Sequence, residues 1–369
     1  MAEVVKQWDA FETAAVPLRG ARPKNVKRGR AVSSGELLAV HPSPAIGDVH
    51  ASVSGFVERV TETEIIISRD DKAVGQPPLP RDLSGLRADQ LAVALKSLGC
   101  GSPPKPVDGP VIINTLDPEP GLTCGPALFN EQRETILAGV EALKLLWPGR
   151  PVIWAVEAPP KALADTEFEI VKSASPDSLP ELVKRRITGW LDPAAEGVLG
   201  GRELYFLGRV LRTGLPLTRS VITLGQANYF IPIGARIIDL LTFANLTPEN
   251  GEAVILGGLV RGLTTARLFR GLDTSVAAIH LLRAAARPDA EPCRGCGACS
   301  EACPMGLSVA EAAGFEPDQW LSMDLSLLSG CLECGACALA CPSKRPLLTL
   351  ARLTGRPDSA ALKQQDIKP

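Results

Sequence analysis

At 369 residues the chain is long enough for two or three domains, each with a core of its own. Its 39 basic and 41 acidic residues nearly cancel, which excludes a general affinity for nucleic acid, and 4% aromatic content argues against a base-stacking platform. Glu3, Lys6 and Asp9 at the start do not read as a secretion signal, and the longest apolar run, Phe230 to Leu246, is broken by Arg236 and Asp239 well short of the roughly 20 residues of a membrane helix.

Taken in chain order, residues 1–75 read as a small β sandwich. Glu36 to Val40, His50 to Val60 and Glu64 to Ser68 are short runs rich in valine and isoleucine, set apart by Gly35, Pro42, Pro44 and Gly47. Arg22 to Arg30 carries five basic residues within nine, a solvated loop or a docking patch for an acidic partner. Residues 76–200 read as α/β. Leu91, Leu95 and Leu98 share a helix face; Val111 to Asn114 and Val152 to Val156 are buried strands; Ile136, Val140, Leu143 and Trp147 stripe a helix ended by Pro148-Gly149. Strand, helix, strand implies a parallel βαβ unit. Residues 201–265 read as an α+β module with strands at Val221 to Leu224, Phe230 to Gly234 and Ala253 to Leu256, and a helix from Ile237 to Phe243. Ala266 to Arg287 reads as a helical connector into the last module, 266–355, and 356–369 as a flexible polar tail.

That last module carries eight of the ten cysteines in two copies of one pattern. The first is Cys293-x2-Cys296-x2-Cys299-x3-Cys303-Pro304; the second is Cys331-x2-Cys334-x2-Cys337-x3-Cys341-Pro342. Such doubled runs hold two 4Fe-4S clusters, each taking its fourth thiolate from the other run. Cys293, Cys296, Cys299 and Cys341 are expected on one cluster, and Cys331, Cys334, Cys337 and Cys303 on the other. Four-cysteine zinc sites come as two separated pairs, and disulfide frameworks suit small secreted chains, so neither reading fits as well. Gly295, Gly297 and Gly335 let the backbone approach the sulfides, and Pro304 and Pro342 fix the turn after the last ligand. Cys100 and Cys124 stand apart and read as buried structural thiols.

The cysteine runs, the turn Gly257-Gly258-Leu259-Val260-Arg261-Gly262, which is similar to a GGPMMG-type turn, and Val111 to Asn114 followed by Glu119-Pro120 resemble the C subunit of Rnf ion-translocating electron transport complexes. The resemblance implies an N-terminal barrel-sandwich domain, a Rossmann-like domain of the FMN- and NADH-binding type, a β-grasp-like SLBB module and a bacterial-ferredoxin-type dicluster domain. It also implies an electron-transfer subunit that works with the other Rnf membrane subunits, exchanges electrons with ferredoxin or a cytochrome, and sits peripherally on the cytoplasmic side of the inner membrane.

One departure from that family bears on function. Its relatives carry a glycine-rich phosphate loop of the form GxGGAGFPT just before the strand equivalent to Val111 to Asn114. Here Leu98-Gly99-Cys100-Gly101-Ser102-Pro103-Pro104-Lys105 stands in its place, with two glycines and two prolines that lack N–H donors. FMN and NAD are therefore not expected as cofactors, and no catalytic residue is assigned. Two alternatives remain open: an NADH-dependent flavoenzyme similar to the cobalamin reductases, and a soluble dicluster adapter of another reductase.

Overall fold

The computed structural model describes residues 5–73, 75–103, 105–106, 108–159, 167–283, 290–315, 319 and 325–353. Pro104, the end of the expected connector (284–287) and the polar tail lie outside them. The chain is a mixed α/β multidomain protein of several sheets with a cysteine-rich module at its C-terminal end.

Two small antiparallel sheets build the first unit. One orders Thr13–Pro17, Glu64–Arg69, Gly55–Val60 and Ala31–Val32; the other orders Arg22–Pro23, Leu37–Val40 and Val49–His50. Alternating inward residues, Ala14, Val16, Val57, Ile65 and Ile67 with Leu38 from the second sheet, close one core. The first residues do not belong to it. Val5–Gln7 pairs in parallel with Ala227–Pro232, two hundred residues away in sequence, and Trp8 is 1% exposed in the core of that distant sheet. The expected boundary at residue 1 is corrected accordingly: an apolar Val5 and Trp8 find a deeper core in the third unit than in the first.

The α/β unit contains a four-stranded parallel sheet ordered Glu167–Ile170, Val152–Val156, Val111–Asn114, Val198–Leu199. Ile112 and Ile113 are wholly buried, as a strand covered on both faces requires. Helix Ala88–Ser97 buries Leu91 and Leu95, and helix Arg133–Leu146 buries Ile136, Val140 and Leu143. Helix Gly201–Thr213 packs tightly on Arg133–Leu146 through Gly139 and Gly208. A Cβ at Gly139 would lie 2.1 Å from the Leu204 carbonyl oxygen, and one at Gly208 would lie 1.8 Å from that of Thr135. Leu204, Leu207 and Val210 share the core of Ile136 and Leu143, so this helix belongs to the α/β layer and the expected boundary at 200 falls one helix too early.

The third unit is a six-stranded sheet ordered Val5–Gln7, Ala227–Pro232, Arg219–Leu224, Ala278–Leu282, Ala253–Leu256, Leu263–Thr265, with helix Ile237–Phe243 against it. The expected helical connector over 266–287 is corrected here. Ala278–Leu282 is a strand that fills the gap between Arg219–Leu224 and Ala253–Leu256. Both neighbours would otherwise present unpaired N–H and C=O groups to the interior, and that demand overrides helix propensity. The module expected to end at 265 therefore runs to Leu282.

Candidate metal centres

Short helices make up the cysteine-rich module: Ala298–Glu301, Val309–Ala313, Ala336–Ala340 and Leu347–Leu353, with a 3-10 turn at Leu325–Leu328. Their apolar residues, Val309, Ala312, Leu328, Leu347 and Leu350, form a small core with cysteines at its margin. Gly297 and Gly335 precede the helices Ala298–Glu301 and Ala336–Ala340 with φ of 76° and 74°. In that left-handed conformation a side chain would be strained, and the glycines let each loop turn into its helix within one residue.

The cysteines surround two separate cavities. One is lined by Cys293, Cys296, Cys299 and Cys341, together with Gly295 and Ala313, and encloses about 320 Å³ not filled by atoms, counted out to its mouth. The other is lined by Cys331, Cys334, Cys337 and Cys303, together with Leu332 and Leu347, and encloses about 420 Å³ on the same measure. Each cavity thus draws three thiols from one run and the fourth from the other. Among the described residues no three His, Cys, Asp or Glu side chains converge closely enough to grip one metal ion. Thiols spread around a space suit a multi-atom cluster better than a single tetrahedral ion, whose ligands lie about 2.3 Å from one centre.

Two local devices repeat in both runs. Two residues after the first cysteine, Gly295 and Glu333 take φ of 66° and 55°, and their N–H groups point at Cys293 Sγ (3.5 Å) and Cys331 Sγ (3.3 Å). A glutamate in that conformation costs about 1 kcal/mol relative to glycine; Arg352 holds it, with Nε 3.3 Å from Glu333 Oε2. Sequence reasoning missed Glu333, although its alignment with Gly295 in the doubled pattern marks it. Burial pushes the Cys299, Cys331 and Cys334 thiols up, and Cys337 to about 12, with the neighbouring thiols adding to the shift at Cys337. Unmetallated, these sulfurs stay protonated at neutral pH, and cluster assembly must release their protons.

Above the second cavity lies the Gly257–Gly262 turn. Val260 Cγ1 would lie 3.0 Å from a Cβ at Gly335, and Arg352 Nη2 donates to the Val260 carbonyl at 2.7 Å. Arg261 Nη1 donates to Glu181 Oε1 at 2.8 Å, and its backbone N–H to Glu119 Oε2 at 2.8 Å. Helix Pro180–Thr188 adds Leu182, which with Leu179, Leu332, Met305 and Cys334 forms a small apolar seam.

The residues left from the expected nucleotide site are engaged within the chain. Asn114 Nδ2 donates to the Ser178 carbonyl at 3.0 Å, and Glu119 is 6% exposed beneath Gly258 and Arg261. The N–H groups of Gly99 and Cys100 cap helix Ala88–Ser97, donating to the Lys96 and Leu95 carbonyls. Gly99 and Gly101 pack against the loop around Gly47 instead of facing an open cleft. Cys124 is 1% exposed, and burial holds the Cys100 thiol near 12, as structural thiols require. In the basic stretch, Arg22, Lys24, Lys27 and Arg28 are exposed while Arg30 pairs with Glu36.

Comparison with known proteins agrees with the cysteine pattern: residues 292–345 match the family described as "4Fe-4S dicluster domain". The chain carries an iron-sulfur domain of the dicluster class. It is also homologous to curated proteins named as the C subunit of an ion-translocating oxidoreductase complex. That of Yersinia pestis bv. Antiqua (strain Antiqua) is 29% identical over 228 residues, 53% of this chain and 36% of that one. The Serratia proteamaculans (strain 568) protein is 26% identical over 335 residues (76% and 47%), and the Rhodobacter capsulatus protein 26% over 339 residues (78% and 65%). The chain spans about a third to a half of the first two and 65% of the third. The resemblance to the Rnf C subunit is thereby borne out. A crystal structure of an NAD+-reducing NiFe hydrogenase in the air-oxidized state aligns with TM-score 0.35 and 14% identity over 63% of this chain and 51% of that one, too loosely to carry an argument. Among the described residues no helix is long and apolar enough to cross a membrane.

Proposed function

We propose that this chain is the electron-conduit subunit of an Rnf-type ion-translocating oxidoreductase. The observation that carries the reading is the pair of four-thiol cavities, each closed by the last cysteine of the opposite run. Cys293, Cys296, Cys299 and Cys341 would hold one 4Fe-4S cluster, and Cys331, Cys334, Cys337 and Cys303 the other. Bound there, the clusters supply one-electron redox capacity. The chain's own residues fix the thiols, donate N–H groups toward sulfur from Gly295 and Glu333, and shield the second site from water with Leu332, Met305 and Leu347.

The homologues support the wider setting: other Rnf subunits as membrane partners, ferredoxin or a cytochrome as soluble carrier, and a peripheral place on the cytoplasmic face of the membrane. The chain's own FMN and NADH site is read as lost. A phosphate needs several free N–H groups converging on one point. Gly99 and Cys100 spend theirs on a helix end, Pro103 has none, and Asn114 and Glu119 already have partners. The test uses anaerobically reconstituted protein. Reduced ferredoxin is expected to bleach the cluster absorbance in the stopped flow while NADH alone does not, and calorimetry is expected to show no micromolar FMN binding. Direct reduction by NADH, or tight FMN binding, restores the flavoenzyme reading.

A further inference from the structure

The two cysteine cavities differ in one charge. Arg261 stands on the turn that covers the second cavity and is 15% exposed at its side chain. The adjacent Val260 touches the loop between Cys334 and Cys337 at Gly335, so the guanidinium is anchored beside the second set of thiols. In the Rnf-like GGPMMG turn an apolar residue stands at this position, so the cation is peculiar to this chain's version of the motif. Two carboxylates hold it from the side of the α/β unit. Glu181 Oε1 accepts from Nη1 at 2.8 Å, and Glu119 Oε1 lies 3.8 Å from Nε. The other Glu181 oxygen is buried and has no hydrogen-bond partner among the described residues. Arg261 thus has its alkyl stem fixed, its head clamped and its charge removed from bulk water.

Nothing comparable acts on the first cavity. Its one arginine, Arg294, pairs with Glu291 at the surface, where both side chains are more than half exposed. Burial, local N–H groups and the thiols of Cys341 and Cys293 account for the shift at Cys299, whereas Arg261 opposes the upward shift at Cys334. The remaining charges around the second cavity are Glu333 and Arg352, which pair with each other, and Arg185, whose Nη1 donates to the Pro304 carbonyl at 2.9 Å from an exposed position.

Resting on the cluster reading above, we propose that Arg261 is a positioning residue for the redox reaction: it raises the reduction potential of the second cluster above that of the first, making the second the first to fill. Reduction adds one negative charge to a cluster and its thiolates. A fixed cation nearby favours the reduced form, and does so most strongly where water is excluded. Arg261 lies outside the shell of residues lining the cavity, so it acts through space and leaves ligation to the cysteines.

The test is an EPR-monitored redox titration of the full chain, with iron analysis on each sample. Arg261→Gln is expected to disfavour reduction of the second cluster about tenfold, which is about 59 mV lower for a one-electron couple, and to leave the first cluster in place. Arg261→Lys should recover most of that shift. Glu181→Gln removes a negative charge while keeping the arginine, and should move the second potential upward. A role in folding alone gives no such opposite signs. An unmoved second potential in Arg261→Gln, or equal shifts in both clusters, overturns the proposal. If Arg261→Gln fails to retain the second cluster, Glu181→Gln decides: an upward shift supports the proposal and a null or downward one overturns it. Wild-type protein that binds iron at neither site overturns the cluster reading itself and this inference with it, an outcome separated from the others by the iron count.

Discussion

The two cysteine cages come from one sequence pattern and end in different surroundings. The first opens to solvent: Cys296 is exposed, and a Cβ at Gly295 or Gly297 would meet nothing within 4 Å. The second lies beneath the Gly257–Gly262 turn and helix Pro180–Thr188, with Leu332 5% exposed and Val260 against Gly335. Identical ligand spacing therefore sets which atoms are gripped, while contacts from elsewhere in the chain set how wet and how charged each grip is. In a protein that moves electrons, that difference separates two otherwise equal sites.

The largest effect that can break this comparison is loss of one whole cage. Cys303→Ala is expected to remove the cluster of Cys331, Cys334 and Cys337, lowering iron from about eight to about four per chain. Adding Cys334→Ala should cost little more, because both changes strike the same cage. A double variant that loses both EPR signals, with each single variant losing a different one, would show that each run closes its own cluster.

Chemical access comes next. Under a ferrous chelator or air, the first cage is expected to lose its cluster on the order of tenfold faster, since solvent exposure governs attack on iron and sulfide. Following the two EPR signals over time checks this; equal rates would mean the covering turn does not shield the second site. Packing should then separate the cages energetically. Leu332→Ala opens a cavity in the seam with Leu179 and Leu182 and is expected to cost about 2–3 kcal/mol, at the low end for a buried leucine in so small a cluster. Denaturant titration should show the loss, and the second signal should fade before the first.

The smallest contrast lies in two glycines. Gly295→Ala and Gly335→Ala each place a side chain at positive φ, at about 1 kcal/mol. Only Gly335→Ala also crowds Val260, at 3.0 Å, so its melting temperature should fall further. Equal losses would mean that the turn yields freely.

How far these features were legible in the sequence follows from the range of the interactions. The cages were legible because ligand spacing is local and each run carries its own three thiols. The parallel strands Val111–Asn114 and Val152–Val156 and helix Ile237–Phe243 were legible from apolar periodicity. The strand Ala278–Leu282 was not, since Val276 to Leu282 is an apolar run compatible with either period and only the waiting gap in the sheet decides it. Nor was the destination of Val5–Gln7, an edge strand assigned by pairing across the whole length of the first two units. The Arg261–Glu119 contact spans 142 positions, so no local pattern announces the charge beside the second cage. Glu333 shows the intermediate case: its left-handed backbone is invisible in isolation but marked by Gly295 at the same place in the sister run.

The central claim is that each four-thiol cavity holds a cubane. Iron and acid-labile sulfide analysis of the anaerobically reconstituted chain, with metal identity checked on the same sample, tests it most directly. Eight irons and eight sulfides per chain are expected from two cubanes. Four or fewer irons, or zinc as the main metal, would contradict the account.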